Sequence, residues 1–118
     1  MQTDPASQPE GVYFDVSPVA QMAGFSLPVM VTQDLHLRLL PDVTERAAGK
    51  TYLGRLTDVL ILARESVQAG GFDQARTPFQ VFLSERTPNG SWRTSRLELW
   101  CCRQGKGYVI GWPDDFWL

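Results

Sequence analysis

A chain of 118 residues with 43% hydrophobic and 20% charged residues carries the apolar content of a folded domain, which excludes wholesale disorder. A formal charge of −2, with 11 basic residues of which only two are Lys, excludes a broad phosphate-neutralising surface, because duplex affinity comes from clustered Lys and Arg. No apolar run approaches the length of a membrane span, and the first ten residues have neither the basic patch nor the apolar stretch of a signal peptide, so a cytoplasmic, non-membrane protein is expected.

In chain order, residues 1–10 are rich in Gln, Pro and Ser without apolar periodicity and are expected as a disordered arm before a single domain over 11–118. Gly11 to Val16 is β-branched and aromatic, which suits a first strand or an extended lead-in. Ser17 before Pro18 reads as a helix cap, and Gly24 as a left-handed stop, which predicts a short helix over Pro18 to Ala23 with Val19, Met22 and Ala23 inward. Pro28 breaks the chain before Val29-Met30-Val31. Thr32 then caps a helix from Gln33 to Leu40, which Pro41 ends, with Leu35, Leu39 and Leu40 as its apolar stripe. Asp42 and Glu45 have the spacing of a capping box for at most one turn before Gly49.

The strongest periodicity runs from Thr51 to Ala69, where Tyr52, Leu56, Val59, Leu60, Ala63 and Val67 recur at helical spacing. Arg55 and Asp58 lie on its less apolar side at an i,i+3 spacing suited to an ion pair. After Pro78 the period becomes two. Phe79, Val81 and Leu83 share one face, Pro88-Asn89-Gly90 turns the chain into Trp92 to Arg103, and Gly105-Lys106-Gly107 turns it again into a strand holding Tyr108, Ile110 and Trp112. The expected fold is α+β, with N-terminal short helices and one long helix packed on a three-stranded antiparallel β-meander.

The chemistry-bearing residues are few. His36 is the only imidazole and sits in a Leu-rich helix, where a boundary histidine is a simpler reading than a general base. Cys101 and Cys102 are adjacent, so a bridge between them is strained; two free thiols are expected, one on each face of a strand, packing as small hydrophobes. Asp114 and Asp115 are too few to hold a hard cation and read as a solvated turn after the last strand. No spacing of His and Cys suits a metal, and no Gly-rich loop suits a phosphate, so no catalytic group, metal or cofactor is expected.

Four Trp in the last 27 residues are the one unusual enrichment. Trp92, Trp100, Trp112 and Trp117 cannot all enter one side of a small sheet. Either some of them form a protein-binding face with Arg103, since Trp and Arg are the commonest interface anchors, or the N-terminal segment covers a second sheet face.

The segments Gly11 to Ser17, Ala23-Gly24-Phe25, Pro28 to Thr32, Arg55 to Arg64 and Pro78 to Phe82, in this order and spacing, resemble a family of uncharacterised small proteins carried by bacterial plasmids, prophages and phages. The resemblance covers about residues 11 to 112, and this chain has Thr57 where that family usually carries an aromatic. It implies an accessory gene of a mobile element, a class rich in anti-CRISPR and antirestriction proteins. The expectation is therefore a non-enzymatic binder that inhibits a bacterial defence complex by contacting a host or element protein. The alternatives are a nucleic-acid-binding or regulatory accessory protein and a small enzyme.

Overall fold

A computed structural model describes residues 11–70 and 75–116. The expected N-terminal arm and Trp117 lie outside the described residues. The class is α+β, but the sheet is larger than a meander: the described residues form five strands in the order β1-β2-β5-β4-β3, of mixed direction, with four α-helices. Among the described residues no helix is long and apolar enough to cross a membrane.

Strand β1 (Tyr13–Asp15) pairs antiparallel with β2 (Val29–Thr32), setting Phe14 opposite Val31. Between them lies α1 (Ser17–Met22). Ser17 is not its side-chain cap. Its hydroxyl instead accepts from the Val29 N–H at 3.0 Å, tying the helix start to β2. Gly24, at φ +107°, stops the helix as its sequence position suggests. The inward residue is Ala20, while Met22 is 88% exposed, so the expected inward face is wrong at that position.

Helix α2 (Gln33–Leu39) begins at Thr32, whose side chain accepts from Leu35 N–H. Leu35 and Leu39 are fully buried and Leu40 is exposed. Helix α3 (Val43–Ala47) carries the anticipated Asp42–Glu45 capping box. Helix α4 (Tyr52–Gly70) buries Leu56, Val59, Leu60, Ala63 and Val67, the periodic set read from the sequence, together with Arg55.

Strands β3 (Arg76–Arg86) and β4 (Trp92–Gln104) form a long hairpin, and β5 (Gly107–Gly111) returns beside β4. These three do form an antiparallel meander, yet β5 also pairs in parallel with β2, joining Val31 to Ile110. The four-residue Val29–Thr32 segment was expected only as a break after Pro28. Its strand state depends on a partner some 80 positions away, which no local pattern reveals.

Odd-numbered residues of the hairpin, including Phe79, Val81, Leu83, Leu97, Leu99 and Cys101, face the helices and form the core with Val29, Val31 and Ile110. Leu60 sits at the centre of that core with no exposed surface. Leu60→Ala is expected to cost on the order of 2–5 kcal/mol, the lost transfer energy plus a cavity, read as a lower denaturation midpoint with an unchanged m-value.

Candidate protein-interaction surface

Alternation places the even-numbered residues of β3 and β4 on the side away from α4. Cross-strand pairing there sets Arg86 opposite Trp92, Phe82 opposite Arg96, Gln80 opposite Glu98 and Pro78 opposite Trp100. Phe82 is 62% exposed and Trp92 45% exposed. Lys50 Nζ lies 5.8 Å from the Trp92 ring centre. The face is otherwise polar, with Arg96 paired to Glu98 at 2.9 Å and Gln80 donating to the same carboxylate at 3.2 Å.

Trp100 is half-buried. The Arg76 guanidinium lies 5.0 Å from its ring centre, and Phe116 stacks on it at 6.3 Å with 21° between the planes.

Of the five residues expected to share a binding face, the four described ones, Trp92, Trp100, Arg103 and Trp112, do not come together. Trp92 and Trp100 share the outer face of β4 but stand eight positions, roughly 26 Å, apart along the strand. Trp112 is half-buried and packs against the hydrophobic core. Arg103 lies near the far end of the sheet with its guanidinium 5.6 Å from the Tyr108 ring, in a cleft also lined by Phe25 and Arg64. The exposed residues between the two tryptophans include the aromatic Phe82 and the cation Arg96 opposite it. The alternation of Phe79, Val81 and Leu83 already implied that Phe82 points outward.

Asp115 is not a solvated turn residue. It lies in a 3-10 turn (Pro113–Phe116) and its Oδ2 accepts from Thr32 Oγ1 at 2.7 Å and from Trp112 N–H at 2.8 Å, fastening the chain after β5 to β2. Gly111 must lack a side chain for this, because a Cβ there would stand 2.7 Å from Asp115 Oδ2 and 2.6 Å from Thr32 Cγ2.

His36 stacks on Phe14, with ring centres 3.9 Å apart, and its Nδ1 lies 2.8 Å from the Tyr52 hydroxyl. Those contacts lock α2 against β1 and α4. Among the described residues there is no group of three or more His, Cys, Asp or Glu side chains able to hold a metal ion.

The ion pair expected between Arg55 and Asp58 is absent. Arg55 is buried and donates to Ser84 C=O at 2.7 Å, to Leu39 C=O at 3.4 Å and to Glu45 at 3.5 Å. Burial opposes ionisation of Glu45, but donation from the backbone N–H groups of Asp42 and Arg86 and from Arg55 outweighs it and lowers its pKa. Close by along β3, Glu85 occupies an inward position and binds Arg38, Ser95 and Arg93, with Arg38 Nη2 at 2.9 Å and Arg93 Nε at 3.2 Å. Helix side and sheet side are thus joined at the hairpin end by two carboxylates and three guanidinium groups.

No family model matches this chain, and neither a curated protein nor a solved structure is found to be similar to it.

The Arg38 hydrogen bonds, against the opposing effect of burial, hold the Glu85 carboxyl down to about 2, from an ordinary value of 4.5. A carboxyl depressed by folding contributes stability that is present above about pH 4.5 and is lost as pH falls towards 2. Glu85→Gln is therefore expected to destabilise by about 2 kcal/mol at neutral pH, and its deficit relative to the parent should shrink across that acid window in denaturant melts.

The two thiols also make a measurable prediction. Cys101 faces the core and Cys102 the opposite side, both buried, and burial pushes their pKa values up to about 12 and about 11. Both should resist a thiol-exchange reagent at pH 8 in the folded protein and react within the dead time once the chain is denatured.

Proposed function

We propose that this chain is a non-enzymatic binding domain that blocks a protein surface, and that the surface belongs to a bacterial defence complex. The observation that carries the binding reading is the outer face of the β3–β4 hairpin, where Phe82 and Trp92 stand exposed beside Arg96 on a rigid two-stranded ribbon. Aromatic and Arg side chains fixed on strands lose little entropy on docking and are the usual energetic anchors of an interface. The defence-complex part rests on the resemblance to small proteins of mobile elements.

The chemistry elsewhere agrees with a binding role. The thiols are held protonated and buried, and His36 is engaged by two aromatic rings and a hydroxyl rather than by a nucleophile. On the outer face Arg96 is paired with Glu98, which leaves one fewer cation there for a phosphate backbone.

The test pairs fold and activity in one set of variants. Expressed in bacteria that carry an active CRISPR or restriction system, the parent chain should raise the plating efficiency of a targeted phage. Trp92→Ala, Phe82→Ala and Arg96→Ala should remove that effect while leaving the melting temperature nearly unchanged, each losing more than about 2 kcal/mol of partner binding, or roughly 30-fold in Kd. Trp100→Ala should lower stability as well, because Arg76 and Phe116 pack on its ring. Plating unaffected by the parent chain in every defence-carrying host would defeat the inhibitor reading.

A further inference from the structure

Strand β3 ends the sheet, so among the described residues one of its sides meets no other strand. Thr87 N–H donates to Ser91 C=O and Arg103 N–H to Ala75 C=O, which fixes the phase of the ladder between β3 and β4. Odd-numbered residues of β3 direct their backbone groups at β4, and even-numbered residues direct theirs at the free edge.

That edge is treated differently along its length. Near its C-terminal end, Arg55 donates to Ser84 C=O and Glu45 accepts from Arg86 N–H, so side chains occupy the places of a neighbouring strand. Towards its N-terminal end Pro78 has no N–H to offer, and its even phase means that no bond to β4 is lost. Between these two protections lie Gln80 and Phe82, whose N–H and C=O groups remain directed at the edge.

The open stretch borders a cleft of about 330 Å³ between β3 and the start of α4, lined by Val81, Phe82 and Ser84 on one side and Lys50, Arg55 and Asp58 on the other. Arg55 is already committed to Glu45 and to Ser84. Asp58 makes no ion pair among the described residues and is exposed. An extended backbone would satisfy the edge groups, and a cation on it would satisfy the carboxylate.

We propose that this cleft takes an extended segment of a partner protein, which pairs with Gln80–Phe82 as a sixth strand and sets a Lys or Arg side chain against Asp58. A second copy of this chain fits less well. Antiparallel pairing of β3 with itself brings two α4 helices side by side, and their exposed flanks carry Asp58 and Glu65 on each copy. The assignment goes beyond the outer-face reading and stands without it.

The probe is a short blocked peptide of alternating Thr and Val with one central Lys, titrated into the isotopically labelled full chain. Amide shifts should concentrate at Gln80 and Phe82. Replacing the peptide's Lys by Glu should weaken binding at least about tenfold. Gln80→Pro removes an edge donor in the same phase as Pro78 and should weaken binding by a similar factor with β3–β4 pairing intact. Asp58→Lys, at an exposed helical position, should reverse the preference between the two peptides. Arg96→Ala, which keeps the melting temperature and lies outside the cleft, should leave peptide affinity unchanged, so loss of phage protection in that variant bears on the outer face alone. The proposal fails if no shift occurs at millimolar peptide, if the shifts map to Thr94, Arg96 and Glu98, or if the two peptides bind equally. It fails also if Gln80→Pro abolishes a concentration-dependent dimer in sedimentation, which would assign the edge to a second copy.

Discussion

The parallel pairing of β2 with β5 is the contact on which the rest of the architecture hangs. It brings Val31 beside Ile110 and lets the N–H of Tyr108 donate to Pro28 C=O at 2.9 Å. Gly107 is what permits that approach, since a Cβ there would stand 2.4 Å from the same carbonyl. Two parallel neighbours cannot be joined by a tight turn, so the chain between them must cross a face of the sheet and return. Helices α2, α3 and α4 are that crossing, and the β3–β4 hairpin extends the sheet before β5 closes it. Asp115 then reinforces the closure from the other side of β5 by binding Thr32 at the end of β2.

What could be read from the sequence divides along the same line. Helix α4, the hairpin and the capping box at Asp42 and Glu45 are set by periodicity and short-range chemistry, and they form as their residues indicate. Strand β2 is set by a long-range partner, so a four-residue apolar stretch after Pro28 gave no clue to its central place in the sheet. The same limit explains Arg55 and Asp58. Their spacing suits an ion pair on a solvated helix, but Arg55 lies at the border of the buried arc, where a carboxylate and two carbonyls from three other elements compete for its guanidinium. Glu45 was legible as a cap and illegible as the acceptor for Arg86 N–H. The tryptophans were legible as too many for one face, whereas their distances from one another depend on strand register.

A buried guanidinium and carboxylate cost several kcal/mol each to desolvate, and apolar residues of similar size often stabilise as well. Their position at the hairpin end shows what they contribute instead. Apolar side chains would leave Ser84 C=O and Arg86 N–H facing an apolar wall without partners, at about 1–3 kcal/mol for each group. Arg55 and Glu45 satisfy those groups and Glu45 also caps α3, so one network anchors the helical layer to the far end of a hairpin that extends past the other strands. Arg55 Nε remains buried without a partner, which marks the network as incompletely matched.

The hairpin therefore has three surfaces under different constraints. Its inner face is fixed by packing: Val81, Leu83, Leu97 and Leu99 are nearly inaccessible, so a change there alters the core. Its edge near Ser84 and Arg86 is fixed by the buried charges. Its outer face, with Gln80 and Phe82 on one strand and Thr94, Arg96 and Glu98 on the other, is exposed and held only by the ladder and by screened pairs such as Arg96 with Glu98, which contribute well under about 1 kcal/mol. Substitutions on that face alter what the ribbon can touch while leaving its stability nearly unchanged, the condition under which recognition can be tuned independently of folding. An exposed Phe82 and Trp92 on such a face carry little of the fold's stability, and their role is sought in what docks against them.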